Sequence, residues 1–328
     1  MQHIQKKPPL SVVIPTKNAG AGFRESLEMI FQQELPYSFE VIVVDSGSED
    51  ETLDICRDYP VNILQIPAEE FNHGRTRNYA ISRSRGEFIV LVVQDAVPAN
   101  SRWMGSLVAA LESDSRAAGA YSRHLASPEA DFLVRRNTEY WHSQQGRRVV
   151  QRIEDPEAFA QMNVAQKMSL CRFDNVSSAI RRSVWESCPF PPIAFAEDLA
   201  WALQVLRLGH HLIYEPESMV YHSHDRGFLY DLRRMYIDTK AVLGILGPFP
   251  QNSQASLRLS QMITVIVDLL RAASHEGCLS PRLVLHIVSF GLATTLGTRL
   301  GSWAYLTNLR RPNKPILSSI DAYLTRDI

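Results

Sequence analysis

The feature that most constrains this chain is an alternation. Four short apolar runs rich in β-branched residues, Leu10–Ile14, Phe39–Val44, Val61–Ile66 and Glu87–Val93, are each followed by a stretch of helical character. The first helix, Phe23–Gln33, carries Phe23, Leu27, Ile30 and Phe31 at helical spacing. Ser48 and Glu51 form an S-x-x-E capping box that predicts a second helix reaching about Asp58. Gly74–Arg85 and Ser101–Glu112 follow, with Ser101 as the expected cap. Phe39–Val44 is apolar throughout except for Glu40, as a strand covered by helices on both faces must be. Repeated β–α order predicts an α/β, Rossmann-like domain with a mostly parallel sheet flanked by helices. Ligands of such sheets bind beyond the carboxyl ends of the strands. Pro15–Asn18, Asp45–Gly47 and Gln94–Ala96 all fall there.

Beyond Glu112 the pattern loosens. Residues 120–175 are polar and aromatic, around Tyr140-Trp141-His142, and read as a less regular region. Ala196–Leu208 is a strong helical pattern ended by Gly209, and His211–Tyr214 and Ser218–Tyr221 read as short strands on either side of Glu215-Pro216. From residue 227 the chain reads as helical: Phe228–Leu246, Ser256–Ser274 and Pro281–Leu300, the first two separated by Gly247-Pro248-Phe249-Pro250. The expected division is therefore a domain of residues 1–226 and a helical extension of residues 227–328.

Charge separates the same two parts. The net charge of −1 conceals 11 Lys and Arg against 6 Asp and Glu from Leu229 onward, and 23 against 29 before it. A basic, apolar tail can rest against anionic lipid, or it can be a helical cap with solvated arginines. Leu259–Leu270 and Leu283–Leu296 are interrupted by polar residues, and neither reaches the roughly 18–20 apolar residues that span a bilayer. Membrane contact is therefore expected to be peripheral. Gly297 and Gly301 form a G-x-x-x-G that permits close helix contact, within the chain or in a homo-oligomer. MQHIQKKPPL has no apolar core of a signal peptide, and the four cysteines, with no C-x-x-C, read as reduced thiols. The expectation is a cytoplasmic chain, at most peripheral to the inner face of the membrane. A pI near 6.8 gives no reason to expect nucleic acid as a partner.

In order, the chain carries VVIPTKNAG, VVDSGSEDET, FNHGRTRN, QDA and AEDLAWALQVLRLGHHLIYEPESMVYHSH. Each is weak alone; the ordered set resembles family 2 glycosyltransferases of the GT-A fold, over about residues 9–226. FNHGRTRNYA followed by QDAVP resembles their rhamnosyltransferase-like branch. The resemblance implies an enzyme that moves a sugar from a nucleoside diphosphate, dTDP-rhamnose in that branch, onto a hydroxyl of a glycan or lipid-linked glycan in cell-surface polysaccharide synthesis. It implies nucleotide contacts from Pro15, Thr16, Lys17, Asn18, Asp45, Arg75, Arg77, Asn78 and Gln94. It also implies a Mg²⁺ or Mn²⁺ ion at Asp95, joined by His222, with His224 as the near alternative.

The chemistry of these residues is consistent with those roles. An Asp at a strand end can accept from the N3–H of uracil or thymine, although a lone Asp45 would read as a turn former. Arginines at a helix N-terminus sit against the macrodipole unless an anion is near, and guanidinium suits phosphate. His73 can meet the diphosphate or merely shape the turn. Val93 stands where the family's D-x-D motif has its first acid, leaving Asp95 alone; Mg²⁺ often uses one or two carboxylates with phosphate. An inverting transfer needs a carboxylate to take the acceptor's proton. Asp198 matches the base position, with Glu197 in reserve, and two adjacent acids raise one another's pKa. Three rivals stand beside this reading. One is a transferase of galactofuranose or N-acetylhexosamine from UDP. Another, a nucleotidyltransferase, would need a Gly-rich phosphate loop after the first strand, which Thr16–Gly20 is not. The third is a non-catalytic nucleotide- or glycan-binding protein, disfavoured by the intact Glu197-Asp198.

Overall fold

A computed structural model describes residues 9–142, 146–224, 227–247, 259–310 and 315–325. The first half runs β1 (Leu10–Thr16), α1 (Phe23–Phe31), β2 (Phe39–Asp45), α2 (Thr52–Arg57), β3 (Val61–Gln65), a 3₁₀ turn, α3 (His73–Arg83), β4 (Phe88–Val92), the two-residue β5 (Val97–Pro98) and α4 (Trp103–Glu112). It continues with β6 (Ala117–Leu125), α5 (Phe132–His142), β7 (Val149–Gln151), α6 (Pro156–Gln161), α7 (Val164–Leu170), β8 (Ser177–Arg181), α8 (Arg182–Ser187), α9 (Glu197–Arg207) and β9 (His211–Tyr221). Four helices close the chain: α10 (Phe228–Leu246), α11 (Leu259–His275), α12 (Pro281–Arg310) and α13 (Pro315–Leu324). The described residues fall into two compact units. The first is drawn from Met1–Ser127, Thr138–Ala160 and Leu170–Ser223, the second from Pro128–Asn137, Gln161–Ser169 and His224–Ile328.

One sheet organises the first unit, in the order β3-β2-β1-β4-β8-β6-β9-β5, with β7 on β9. β3, β2, β1 and β4 are parallel. Every residue of β4 is buried, which explains its unbroken Phe-Ile-Val-Leu-Val run. The expected parallel sheet is continuous in this half, and beyond β4 the sheet is mixed. β8 is antiparallel to both β4 and β6, and β6 and β9 are parallel. Two reversals restore direction, so β6 and β9 end on the same edge as β1, β2 and β4. By the same logic β8 begins there. With β3, which ends beside Asp45 at Gln65, seven strand ends therefore converge on one edge.

Local corrections have local causes. The Ser48/Glu51 capping box does not form: α2 starts at Thr52, whose N–H is taken by Asp50 at 3.0 Å, while Ser48 bonds Asp45. At α4 it is Asn100, not Ser101, that accepts from the Arg102 N–H. Residues 120–175, expected to be irregular, hold β6, β7 and three helices; short mixed segments gave no sustained period to read. The two strands expected around Glu215-Pro216 are one, because a register break against β6 at Ser122–Arg123 absorbs the proline.

In the second unit Phe132 and Leu133 of α5 pack with Ala273, Leu283 and Ile287. His286 pairs with Asp131 at 3.2 Å and Arg135 with Glu276 at 3.4 Å beside that cluster. The G-x-x-x-G lies against α10: a Cβ at Gly297 would collide with the Leu232 carbonyl, and one at Gly301 with the Tyr236 carbonyl. That close approach is made within this chain. Pro248–Pro250 lie outside the described residues. α12 runs ten residues past the expected Leu300, and Pro281–Leu309 is long and apolar enough to cross a membrane by length and composition, unlike the interrupted stretches read from sequence.

Candidate active site

The ends of β1 and β2 are held at one level by register, Thr16 opposite Asp45. Their loops are laced together. Thr16 Oγ1 donates to Asp45 Oδ1 at 3.1 Å, and the Gly47 and Ser48 N–H groups donate to Asp45 Oδ2 at 3.1 and 3.0 Å. Asn18 has φ 46°, a left-handed conformation that asparagine tolerates, and this aims its N–H at Ser48 Oγ and its Oδ1 at the Glu49 N–H, each at 2.8 Å. Gln94, just past β4, makes two bonds with Lys17: its Oε1 accepts from the Lys17 N–H at 2.8 Å and its Nε2 donates to the Lys17 carbonyl at 3.2 Å. Lys17 and Asn18 are exposed, and Pro15 is half-buried. The structure thus brings together Pro15, Thr16, Lys17, Asn18, Asp45 and Gln94. Asp45 is wholly buried and turned into its own loop, so a base would meet the loop surface before this carboxylate.

Asp95 follows Gln94 with its side chain 45% exposed, and its Oδ1 lies 3.6 Å from His222 Nε2 at the end of β9. The His222 ring meets His124, at the end of β6, edge-on at 5.6 Å. His124 Nε2 is in turn 3.6 Å from Asp174 Oδ2, just before β8. His224 opens the second unit.

Glu197 and Asp198 open α9. Ala196, at φ 59°, is a non-glycine residue in the left-handed region, strain that sets the direction in which the acids leave. Glu197 is buried and pairs with Arg77 Nη1 at 2.6 Å, both side chains being at most 6% exposed. Asn175 Nδ2 adds a bond to Glu197 at 3.3 Å. Asp198 is half-buried; the Leu199 N–H donates to its Oδ1 at 2.7 Å. Desolvation, then the charges of Glu197 and Asp174, push its carboxyl well above the usual range. A carboxylate so raised is a proton acceptor matched to neutral or mildly basic conditions.

Three expectations change here. Arg77 does not face a diphosphate: it is buried against Glu197. Glu197 is committed to that pair and is not free to act as base. Asn78 does not face a nucleotide either: Trp185 Nε1 and the Phe190 N–H donate to its Oδ1 at 2.8 and 3.1 Å, and its Nδ2 donates to the Phe190 carbonyl at 2.8 Å. Asn72 adds a bond to the Ile193 carbonyl, and Gly74 is a glycine because a Cβ would strike the Pro191 carbonyl. The FNHGRTRN stretch therefore grips segment 190–197 and presents the acids. Arg75 alone of its arginines is exposed, at the first turn of α3.

The family model for glycosyl transferase family 2 matches residues 11–174. The O-antigen chain rhamnosyltransferase RfbN of Salmonella typhimurium is 33% identical over 234 residues, covering 70% of this chain and 71% of that protein. This chain belongs to glycosyl transferase family 2. A second relative, the O-antigen chain rhamnosyltransferase WbaN of Salmonella anatum, is 30% identical over 237 residues, 71% of each chain. Among solved structures, the mannosyltransferase PcManGT from Pyrobaculum calidifontis, in complex with GDP-Man and Mn²⁺, superposes with TM-score 0.57 at 22% identity, covering 93% of this chain and 88% of that one. Residues 1–349 of TarS from S. aureus give 0.51 at 16%, covering 92% of each. These likenesses carry the fold: the chain is a glycosyltransferase with the GT-A architecture.

Among the residues gathered at this edge, the sequence pointed to Asp95, His222 and Asp198. It had not pointed to His124, Asp174 or Asn175. Their one signal was position: Asp174 and Asn175 stand before β8 and His124 near the end of β6, and it is the antiparallel pairing of β8 with both β4 and β6 that brings these ends to the edge, a pairing no local pattern discloses. The donor set suits a divalent ion. One carboxylate oxygen and one imidazole nitrogen, 3.6 Å apart and both reachable from solvent, leave room for oxygen ligands from phosphate and water, and the imidazole favours Mn²⁺ over Mg²⁺.

Proposed function

We propose that this enzyme transfers an L-rhamnosyl group from dTDP-rhamnose to a hydroxyl of a growing cell-surface glycan, with inversion at the anomeric carbon. The reading of the donor rests on the identity, 33% and 30% over about seven-tenths of each chain, to two O-antigen chain rhamnosyltransferases. The reading of the mechanism rests on Asp198: a half-buried carboxyl of raised pKa, beside a Glu197 already spent on Arg77.

Asp198 takes the proton of the acceptor hydroxyl as its oxygen attacks the anomeric carbon. One C–O bond forms and the bond from that carbon to the diphosphate breaks, so dTDP leaves and the configuration inverts. Strained Ala196 and the Arg77–Glu197 pair hold Asp198 in place, so no reorganisation is needed at the moment of transfer. The laced loops of Thr16–Asn18 and Asp45–Ser48 cradle the nucleoside. Exposed Arg75 is the remaining guanidinium in the first turns of α3 that can meet phosphate. Asp95 and His222 would hold a divalent ion, which supplies positive charge against the leaving diphosphate.

The test is a thermal-shift series with dTDP, UDP, GDP and CMP, each with and without Mn²⁺, followed by NMR of the product formed from dTDP-rhamnose. Ligand at ~100 times its dissociation constant adds about 2.7 kcal/mol to stability. Metal-dependent stabilisation by dTDP above the other nucleotides, with an inverted product, is expected. Preference for UDP would overturn the donor, and a retained configuration would overturn the mechanism.

A further inference from the structure

From Gly277 to Ile320 the chain contains no Asp or Glu in 44 residues, where its average of 35 in 328 would place four or five. Five cations stand in the same stretch: Arg282, Arg299, Arg310, Arg311 and Lys314. α12 occupies most of it.

The helix is apolar on two faces of different kind. Gly297 and Gly301 press against α10, and Gly291 against Ile266 of α11. Roughly opposite, ~120–160° around the helix from those two α10-facing glycines at ~100° per residue, lies a row of large side chains. Leu285, Leu292, Leu296 and Trp303 fall within about 40° of one another on that wheel, and they are 72%, 39%, 43% and 46% exposed. From Gly291 onward the inward positions of α12 are small, with Ala293 and Ala304 buried beside the glycines, and the large apolar side chains Leu292, Leu296 and Trp303 are outward, the reverse of an ordinary surface helix. An exposed apolar row of this length marks a binding surface.

We propose that the outer face of α12 docks in the plane of a bilayer whose surface is anionic. Charge selects lipid over a second copy of the chain. A negatively charged surface repels every Asp and Glu near it and rewards every Lys and Arg, so it requires an acid-free segment, whereas a contact between two copies does not. The exposed tryptophan in the row suits the headgroup boundary, where an aromatic with one polar edge is at home. The leucines insert, and the exposed Arg282 and Arg299 lie among the headgroups. Because α12 is bound to α10 along its small-residue face, it lies on the membrane and does not cross it. This inference stands apart from the identity of the donor.

Flotation of the full chain with vesicles of pure phosphatidylcholine and of phosphatidylcholine with 30% phosphatidylglycerol tests it. Partition at least tenfold stronger to the anionic vesicles, released by raised salt, is expected. Leu296→Ser with Trp303→Ser should weaken it by about tenfold or more, since each removes a large apolar side chain from the lipid. Arg282→Glu should weaken it several-fold on anionic vesicles only, a single cation near such a surface being worth about fivefold. These positions are exposed, and an unchanged melting temperature with retained nucleotide binding shows that the variants fold. Absence of flotation with both vesicles overturns the proposal. So does equal flotation of the wild type and the double variant, or light scattering that shows a dimer which the double variant abolishes.

Discussion

The two sides of the candidate active site are built by opposite means. On the side proposed for the nucleotide, loops 16–20 and 45–52 are held by many separate hydrogen bonds, mostly from uncharged backbone N–H groups to the side chains of Asp45, Ser48, Asp50 and Gln94. On the acid side, one buried ion pair, Arg77–Glu197, carries the positioning, with Asn72, Gly74 and Asn78 gripping the segment before it. The first construction spreads the positioning over many bonds, none of which joins two charged side chains. The second is a single charged contact in a place where water cannot replace it. A site that must admit a nucleotide and then hold one carboxylate still has reason to use both.

The sharpest way to break the comparison is at Asp198. Asp198→Asn should lower kcat by about 10²–10⁴, the usual worth of a positioned base, while nucleotide affinity stays put. In the wild type, activity should rise with pH through a value above the ordinary carboxylate range, because the base must be ionised. The stability sign runs the other way. Burial and neighbouring acids raise the folded pKa, so the stability Asp198 lends is full below about pH 4, its unfolded value, and is lost as pH rises through the folded one. Asn does not ionise. The variant's melting temperature should therefore gain on the wild type as pH climbs from 4 to 8. A kcat within threefold of wild type, or a melting difference that shrinks with pH, would remove Asp198 from its role.

The next effect is at Arg77. Breaking a buried pair by removing one partner leaves the other charge unsolvated and costs about 3–5 kcal/mol. Arg77→Met should unfold at much lower denaturant. Arg77→Met with Glu197→Gln should recover most of that loss, since no lone charge remains, and nucleotide binding should survive in the double variant. If Arg77 instead met the diphosphate, the double variant would stay stable but lose the nucleotide, which would restore the expectation drawn from sequence.

That expectation shows what a sequence of this kind discloses. Strand periodicity and the polar residue after each run located Thr16, Asp45 and Asp95 on one edge, because period and strand ends are local. The extent of α10, Phe228–Leu246, was legible for the same reason. What Arg77 touches was not. Its partner lies 120 residues away, and an arginine at a helix start looks the same whether it waits for phosphate or is spent on a glutamate. His124 and Asp174 were hidden by the reversal of β8, a pairing choice that no single segment encodes.

The smallest effect sharpens the nucleotide side. Gln94 joins the β1 and β4 loops by two hydrogen bonds in an exposed setting, where water competes for both partners. Each such bond has a net worth of about 0.5–1.5 kcal/mol, and exposure places these at the low end. Gln94→Ala should therefore shift the melting temperature by little, a cost of about 1 kcal/mol, yet loosen Lys17 and with it the loop that continues to Asn18. If the loop must be preformed to bind, the same ~1 kcal/mol appears as about a fivefold rise in the dissociation constant for the nucleotide, with kcat at saturation unchanged. Calorimetric titration with the preferred nucleotide separates the outcomes. A loss of affinity without loss of kcat marks this side as a binding scaffold apart from the acids, whereas a fall in kcat equal to that of Asp198→Asn would mean that the two sides are not separable and that Gln94 also fixes the reacting groups.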